Sequence, residues 1–226
     1  TCALPISPVT VNKGTYQAAL NTYPITFTVT SDSAATKTIN ATVIAGNAPT
    51  ITEPGFTEVT KDNSSYNLLD GVSALDTEDG TITNKIVVRV NGNTANTIDR
   101  NIPGTYTVTY SVTDLDNNTT TKTRIVVVND GSYVVGNTTI IQVNDFTKRI
   151  SQVNTTDTAI KTDAAVKVFN KQTAVDITAS TPVTVNKGTY QAVVKDYPIT
   201  FAVTSDTTAT KTINATVNAG TAPTIT

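Results

Sequence analysis

The sequence contains no histidine, no tryptophan and no methionine, and its single cysteine is Cys2. The lack of histidine removes the most frequent general acid–base residue, and one cysteine cannot form an internal disulfide. The usual acid–base and thiol arrangements of catalysis are therefore missing. We expect a non-catalytic protein, and an enzyme is the most distant of the functions that we consider.

Charge and apolar runs are also sparse. Charged residues make up 15% of the chain, and the formal net charge is −2. No cluster of lysine and arginine could follow a phosphate backbone, so we expect no nucleic-acid partner. No apolar run approaches the roughly 20 residues of a membrane-spanning helix, so no membrane span is expected in this stretch.

The sequence is instead rich in threonine and in alternating apolar and polar residues. Threonine suits the outward face of a strand because it is both β-branched and polar. Ile25, Phe27 and Val29 alternate with threonines, and residues 104–112 repeat the pattern. Short alternating runs separated by turn residues predict an all-β fold of antiparallel β-sandwiches.

One stretch occurs twice. Residues 8–52 recur almost unchanged as residues 182–226, 174 positions further along the chain. Self-similarity at a fixed offset indicates a repeat array, and we expect the array to continue beyond Thr226. The similarity stops abruptly before Pro8. Residues 1–7 (TCALPIS) resemble the translation of a sequencing adapter, and we interpret them as a non-native segment that contributes nothing to the fold.

The repeat predicts the domain boundaries. After residues 1–7, residues 8–48 are interpreted as the C-terminal half of a truncated repeat module, and 49–130 as a complete domain. Residues 131–222 are interpreted as a second complete module whose back half is the repeat, and 223–226 as the start of the next linker. One short helix is expected within 157–168, because Ile160, Ala164 and Val168 share a helical face.

Two local expectations follow. Pro103-Gly104-Thr105-Tyr106 and Lys187-Gly188-Thr189-Tyr190 are each predicted to begin a long strand, with the tyrosine as a core anchor. Residues 8–48 lack the partner strands that 133–180 supply to the other copy. They are therefore expected to expose an apolar sheet face and open edges.

Specific motifs resemble a known family. LLDGVSALDTEDGTITNKIVV (68–88), followed by PGTYTVTYSVTDLDNNTTTKTRIVVV (103–128), resembles the bacterial immunoglobulin-like (Ig-like) domain of crystal toxins and Gram-positive cell-wall-anchored surface proteins. VNDF (143–146) with KTINATV (211–217) is similar to a second repeat type in internalin-like and LPXTG-anchored proteins of that kind. The two resemblances together cover nearly all of residues 8–226.

The resemblance implies that residues 8–48, 49–130 and 131–222 belong to tandem Ig-like antiparallel β-sandwiches, with 131–222 a second type of Ig-like repeat. It also implies a secreted, extracellular module array that projects from a bacterial cell wall. We expect its function to be structural: a spacer that holds a distal recognition domain away from the cell, with neighbouring Ig-like repeats as its partners. The alternative is an adhesin module that itself binds a host protein or a glycan. That function would need an exposed aromatic or apolar patch, and aromatic residues are only 6% of the chain.

Five acidic residues are candidate metal ligands. Asp76, Glu78 and Asp79 occupy one turn, and Asp114 and Asp116 occupy another. The first interpretation is turn chemistry, which aspartate favours. The second is calcium, for which carboxylate and carbonyl oxygens are suitable ligands if the two turns share one end of a sandwich. The spacing is not that of an EF-hand loop, and no other cofactor is expected.

Overall fold

A computed structural model describes residues 7–220 of the chain. Within this range the fold is almost entirely β, with one short α-helix and three short 3-10 helices. The predicted all-β class of antiparallel sandwiches is confirmed. The proposed non-native segment 1–7, apart from Ser7, and the proposed linker 223–226 lie outside the described residues.

The first part of the chain forms one three-stranded antiparallel sheet, here called the N-terminal sheet. A register shift marks a bulge between Thr28 and Val29. Threonine pairs such as Thr26 and Thr38, whose hydroxyls lie 2.9 Å apart, line its polar face. Its strands are β1 (Val9–Asn12), β2 (Asn21–Val29) and β3 (Asp32–Val43).

Residues 50–129, the middle unit, form a sandwich of three sheets around one core. The large sheet has the order β10-β9-β12-β13-β5, and the others are β4-β7-β8 and β11-β6. A 3-10 helix spans Thr83–Lys85. The strands are β4 (Thr50–Thr52), β5 (Thr57–Thr60), β6 (Ser65–Asn67), β7 (Ser73–Asp76), β8 (Gly80–Thr81), β9 (Val87–Val90), β10 (Asn93–Thr94), β11 (Thr97–Asp99), β12 (Gly104–Thr113) and β13 (Thr119–Asn129).

Residues 133–218, the C-terminal unit, form a second sandwich. Its sheets have the orders β16-β20-β19-β18 and β14-β15-β17. Two 3-10 helices span Ile150–Gln152 and Thr178–Ser180. The other elements are β14 (Tyr133–Val135), β15 (Thr139–Gln142), β16 (Phe146–Arg149), α1 (Asp157–Asp163), β17 (Lys167–Asn170), β18 (Val183–Asn186), β19 (Lys195–Val203) and β20 (Asp206–Asn218).

The two sandwiches share one strand arrangement. In each, the last strand (β13 or β20) pairs antiparallel with the long strand before it (β12 or β19) and parallel with an early strand (β5 or β16). The long strand then pairs with β9 or β18 on its other side. The order β9-β12-β13-β5 thus corresponds to β18-β19-β20-β16.

The predicted strand starts are right for one sandwich and wrong for the other. β12 begins at Gly104, but Gly188 and Thr189 lie in a turn, and β19 begins only at Lys195. The residue equivalent to Tyr106 is therefore Tyr197. Each is the third residue of its long strand, and each hydroxyl donates a hydrogen bond to the carbonyl oxygen four residues earlier.

The predicted helix is present but shorter than expected. α1 begins after Thr156, whose hydroxyl accepts a hydrogen bond from the Ala159 amide, and it ends at Asp163. Ala165 then adopts a positive φ of 48°, which turns the chain into β17, so Val168 lies in a strand. Ile160, Ala164 and Val168 are nevertheless all buried in one core.

The exposed face expected for residues 8–48 is present. Val9, Val11 and Ile39 expose 53%, 48% and 46% of their surface. In the C-terminal unit the equivalent residues Val183 and Ile213 expose only 8% and 3%. The same sequence is therefore buried or exposed according to whether a second sheet faces it.

Candidate functional site

The first acidic turn joins β7 to β8 and is held by the side chain of Asp76. One carboxylate oxygen, Oδ1, accepts the backbone N–H groups of Glu78 at 2.9 Å and Asp79 at 2.8 Å. Asp76 is only 4% exposed, and its other oxygen, Oδ2, is buried without a hydrogen-bond partner among residues 7–220. The turn chemistry expected for this aspartate is therefore what the structure shows.

The second acidic turn joins β12 to β13, and Asp114 closes it in the same way. Its Oδ1 accepts the backbone N–H of Asn118 at 2.7 Å, and its Oδ2 accepts the Asn118 side-chain amide at 2.9 Å. Asn117 has a φ of 68°, a left-handed conformation that asparagine tolerates better than most residues. Asp114 is buried as a result.

The two turns lie at the same end of the middle unit. Asp79 Oδ2 accepts the backbone N–H of Leu115 at 2.8 Å, and it also lies 3.9 Å from the ammonium group of Lys85. Direct contact between the turns satisfies the geometric condition that the calcium hypothesis required. It also gives Asp79 a role in fixing one turn against the other.

The linker from the N-terminal sheet reaches this same end. The Asn47 side-chain amide donates to Glu78 Oε1 at 2.6 Å, and the Asn118 amide donates to the Gly46 carbonyl at 3.2 Å. Gly46 packs so closely that a Cβ there would meet the Asp116 carboxylate. Glu78 and Asp116 thus contact the linker directly, while Asp76, Asp79 and Asp114 hold the two turns that carry them.

The junction does not bring three carboxylates around one point. Within the part of the chain that the structure describes, no group of three or more acidic, histidine or cysteine side chains is placed to hold a metal ion. Asp76, Glu78, Asp79 and Asp114 each accept N–H groups instead. The calcium site stays a prediction, and Asp76 Oδ2 is a buried carboxylate oxygen without a partner among the described residues.

A second junction, between the middle and C-terminal units, is apolar. Ile125 and Val127 of β13 form a buried cluster with Tyr133 and Ile140. The neighbours Val126 and Val128 point into the core of the middle unit instead. β13 is therefore buried on both faces, which explains the unbroken apolar run from 125 to 128.

Sequence reasoning did not identify this junction, although a signal was present. Four consecutive apolar residues at 125–128, and the pair Ile140-Ile141, break the alternation of an ordinary half-buried strand. In β15, Ile140 contributes to the cluster between the units while Ile141 belongs to the C-terminal core. In both β13 and β15, the strands that meet at this junction, the apolar–polar alternation is thus interrupted.

The linker across this junction is short and ordered. Only residues 130–132 separate β13 from β14. Asn129 ties both ends, because its Oδ1 accepts the Gly131 amide at 2.8 Å and its Nδ2 donates to the Tyr133 carbonyl at 3.0 Å. Lys211 also reaches across from β20, and its ammonium donates to the Gly131 carbonyl at 2.6 Å.

A cation–π contact adds to the same junction. The ammonium of Lys171 lies 5.0 Å from the ring centroid of Phe56 and also donates to the Gly136 carbonyl. Nearby, Arg124 is 3% exposed, and its guanidinium donates to the Tyr110 hydroxyl and the Leu68 carbonyl. This buried cation is satisfied by neutral oxygens and links β13 to the loop after β6.

No helix among residues 7–220 is long and apolar enough to cross a membrane. A comparison with curated proteins found no match. Solved structures with limited similarity to the chain include two that contain bacterial proteins. One contains the CBM51-2 domain in complex with GlcNAc and the INT domains of Clostridium perfringens ZmpB. It is 20% identical, with a TM-score of 0.31, and the match covers 67% of this chain but 29% of that one.

The other is the lipoprotein BT2262 from Bacteroides thetaiotaomicron. It is 13% identical, with a TM-score of 0.34, and the match covers 70% of this chain and 95% of that one. The chain therefore spans less than a third of the first structure. A family model matches within the middle unit: residues 52–128 match the Ig-like domain of bacterial surface proteins.

Proposed function

We propose that the chain is a non-catalytic spacer of a bacterial surface protein, in which stacked Ig-like modules hold a distal recognition domain away from the cell wall. The family match of residues 52–128 supports the surface location. An LPXTG-type anchor in a Gram-positive cell wall is part of the proposal, because the sequence motifs resemble proteins with that anchor. A spacer needs defined length and limited bending rather than a unique binding site.

The apolar junction between the middle and C-terminal units is the observation that carries this proposal. Ile125, Val127 and Ile140 are each no more than 2% exposed, so separating the units would expose them to water. A linker of three residues with both ends hydrogen-bonded adds little freedom. Tight packing and a short linker together favour one orientation of the two units.

The proposal is tested by measuring the distance between the units. Spin labels are placed at Asn93→Cys in β10 and Lys195→Cys in β19, both exposed, after Cys2→Ser removes the original thiol. Pulsed electron–electron double resonance should give a single narrow distribution of distances between the two spin labels. Ile140→Ser should broaden it, because a hydroxyl would replace the apolar contact at the centre of the junction.

Val87→Ser provides the matched control. Val87 lies in β9 and is 45% exposed, so the same chemical change there should leave the distribution narrow. A melting curve for each variant separates loss of the junction from loss of folding. A broad distribution in the chain with the junction intact would contradict the spacer function.

The second candidate function is an adhesin that binds a host protein or a glycan directly. The exposed apolar face of the N-terminal sheet is the feature that favours it. Tight binding of the chain to immobilised matrix proteins or glycans, weakened by Val11→Ser, would support the adhesin and place the spacer second. Binding that is unchanged by Val11→Ser would assign recognition to another surface.

A further inference from the structure

The N-terminal sheet and the sheet β18–β20 are two copies of one structure. Val9 pairs with Val29 as Val183 pairs with Val203, and the same register shift occurs in each long hairpin. In the C-terminal unit, residues 131–181 precede this sheet and supply the second sheet of the sandwich. We call residues 131–181 the front half.

Only the C-terminal copy has its apolar face covered. Phe201 and Ile213 are 0% and 3% exposed, whereas Ile39, the equivalent of Ile213, is 46% exposed. The covering residues come from the front half and pack in the same core: Ile141, Val143, Ile160, Ala164 and Val168. The N-terminal sheet has no such cover within residues 7–220.

The N-terminal sheet retains every apolar residue that the front half buries. Each buried apolar position of residues 183–217 carries the identical residue 174 positions earlier; Phe201, for example, corresponds to Phe27. Within the described residues, the differences between the copies fall at positions that are exposed or half-buried in the C-terminal unit. Leu20 in place of Val194 is one of them.

The N-terminal sheet also keeps one of the two partners of a polar contact at the edge of the sheet, the aspartate. Asp206 Oδ2 accepts the backbone amides of Thr138 at 2.8 Å and Thr139 at 2.9 Å, which belong to the front half. Its equivalent, Asp32, is exposed and accepts the Ala34 amide of its own turn. The carboxylate that anchors a front half is therefore present in the N-terminal sheet.

On the side of the front half, the same contact requires a glycine, Gly136. A Cβ at Gly136 would lie 2.5 Å from Asp206 Oδ2 and 2.9 Å from the Ala209 amide nitrogen, so no larger residue fits there without movement. Ala35 is the equivalent of Ala209. The close approach that Gly136 permits is therefore available on the N-terminal sheet too.

From these observations we propose that the apolar face of β1–β3 is a binding surface for a front half, a polypeptide of the sequence of residues 131–181, supplied by another module of the repeat array and not by a second copy of residues 1–226. Binding would complete a sandwich like the C-terminal unit. The bound segment would place Ile141 and Ile160 over Phe27 and Ile39 and bring its 136–139 loop to Asp32. The proposal is independent of whether the chain is a spacer.

The test adds a synthetic front-half polypeptide to the full chain. Hydrogen exchange, read peptide by peptide, should slow in β1–β3 on the order of 100-fold and remain unchanged in β18–β20. The resident front half of the C-terminal unit is tethered to its sheet, so the added polypeptide should occupy only the open face. Native mass spectrometry should show one polypeptide for each chain.

Two matched variants separate specific docking from apolar adhesion. Gly136→Ala in the added polypeptide, and Asp32→Asn in the full chain, should each weaken binding. Equal binding by the Gly136→Ala polypeptide would overturn the proposal, since it would show contact without the close approach of the sandwich. Protection of β1–β3 without any polypeptide, together with a dimer in sedimentation, would identify a second copy as the occupant and also overturn it.

If the free polypeptide aggregates, a covalently linked front half provides the same test. Residues 131–181 are joined directly before Pro8, so that the N-terminal sheet has a front half in the order found in the C-terminal unit. Slow exchange in β1–β3 is expected, and it should be lost when the added copy carries Gly136→Ala. Unchanged fast exchange in β1–β3 of this longer chain would overturn the proposal.

Discussion

Tyr190 and Tyr197 lie edge to face, with their ring centroids 5.4 Å apart, yet only one of the two hydroxyls has a hydrogen-bond acceptor. The Tyr197 hydroxyl donates to the Val193 carbonyl at 3.1 Å. The Tyr190 hydroxyl is buried without a partner in the described part of the chain, and this burial raises its pKa. We therefore expect the two hydroxyls to affect stability in opposite ways.

The first prediction compares the two hydroxyls. Tyr190→Phe should stabilise the C-terminal unit by about 1 kcal/mol, because it removes a buried polar atom that has no partner. Tyr197→Phe should destabilise it by a similar amount, about 1 kcal/mol, because it leaves the Val193 carbonyl without its donor. Urea unfolding of both variants measures the difference. A loss of stability in Tyr190→Phe would show that its hydroxyl is bonded, for example to water.

The second prediction concerns acid stability and rests on Asp206. Burial alone would raise its pKa, but hydrogen bonds from the Thr208 hydroxyl and from the Thr138 and Thr139 amides outweigh burial. They hold the pKa well below the usual value. An aspartate with a lowered folded-state pKa stabilises the fold above its unfolded pKa of about 4 and loses that contribution as the pH falls further.

Asp206→Asn should therefore cost roughly 2–4 kcal/mol at neutral pH, because buried donors lose a charged acceptor. The difference from the unsubstituted chain should shrink as the pH falls below about 4. Asp32→Asn is the matched control, since Asp32 is exposed and bonds only within its own turn. Denaturant unfolding at a series of pH values measures both. A difference that stays constant down to the lowest pH would contradict the lowered pKa.

Local patterns in the sequence were enough to predict many strands. β2, β3 and β12 follow apolar–polar alternation because one face of each is polar and threonine-rich. The Asn91-Gly92 turn also follows from local chemistry, as both residues adopt a positive φ. Residues 187–190 were predicted to begin a strand but form a turn, because the sequence Gly-Thr-Tyr fits a strand start and a turn equally well.

Contacts between residues that lie far apart in the chain could not be predicted from the sequence. The acidic residues were identified from turn chemistry, but the bond from Asn47 to Glu78 joins residues 31 positions apart and depends on tertiary packing. The parallel pairing of β5 with β13 is likewise non-local. The apolar run 125–128 shows burial on both faces, but the run itself does not reveal which unit covers the second face.

The third prediction decides between the two interpretations of the acidic turns. The turn interpretation predicts no 1:1 calcium binding and a melting temperature that calcium leaves unchanged, because four of the five carboxylates already accept N–H groups. Magnesium is the control for general ionic effects. A saturable rise in melting temperature with calcium alone, lost in Asp76→Asn, would establish the calcium site at Asp76 Oδ2.

The fourth prediction concerns the linker junction at the same end of the middle unit. Asn47→Ala removes the amide that donates to Glu78, an exposed contact that should contribute only about 0.5–1 kcal/mol to stability. Its larger effect should be on the linker. Hydrogen exchange of residues 44–49 should become faster, while exchange in β12 and β13 stays the same. Unchanged exchange in the linker would show that other contacts, such as Asn118 with Gly46, suffice.

The fifth prediction is that the middle and C-terminal units stabilise each other through the apolar junction. Val127→Ala and Ile140→Ala should each destabilise the chain, by roughly 1–4 kcal/mol according to the size of the side chain removed. Because the two side chains lie in one cluster across the junction, the double variant should deviate from additivity by about 0.5–1 kcal/mol.

Val112→Ala combined with Ile140→Ala is the control cycle for that measurement. Val112 is buried in the core of the middle unit and pairs with Thr120, seven residues along β13 from Val127. The losses in the free energy of unfolding caused by these two changes should add to within about 0.5 kcal/mol, since residues without shared contacts act independently. Additivity in both cycles would mean that the junction contributes no coupling. The stiffness of the spacer would then have to come from the short linker alone.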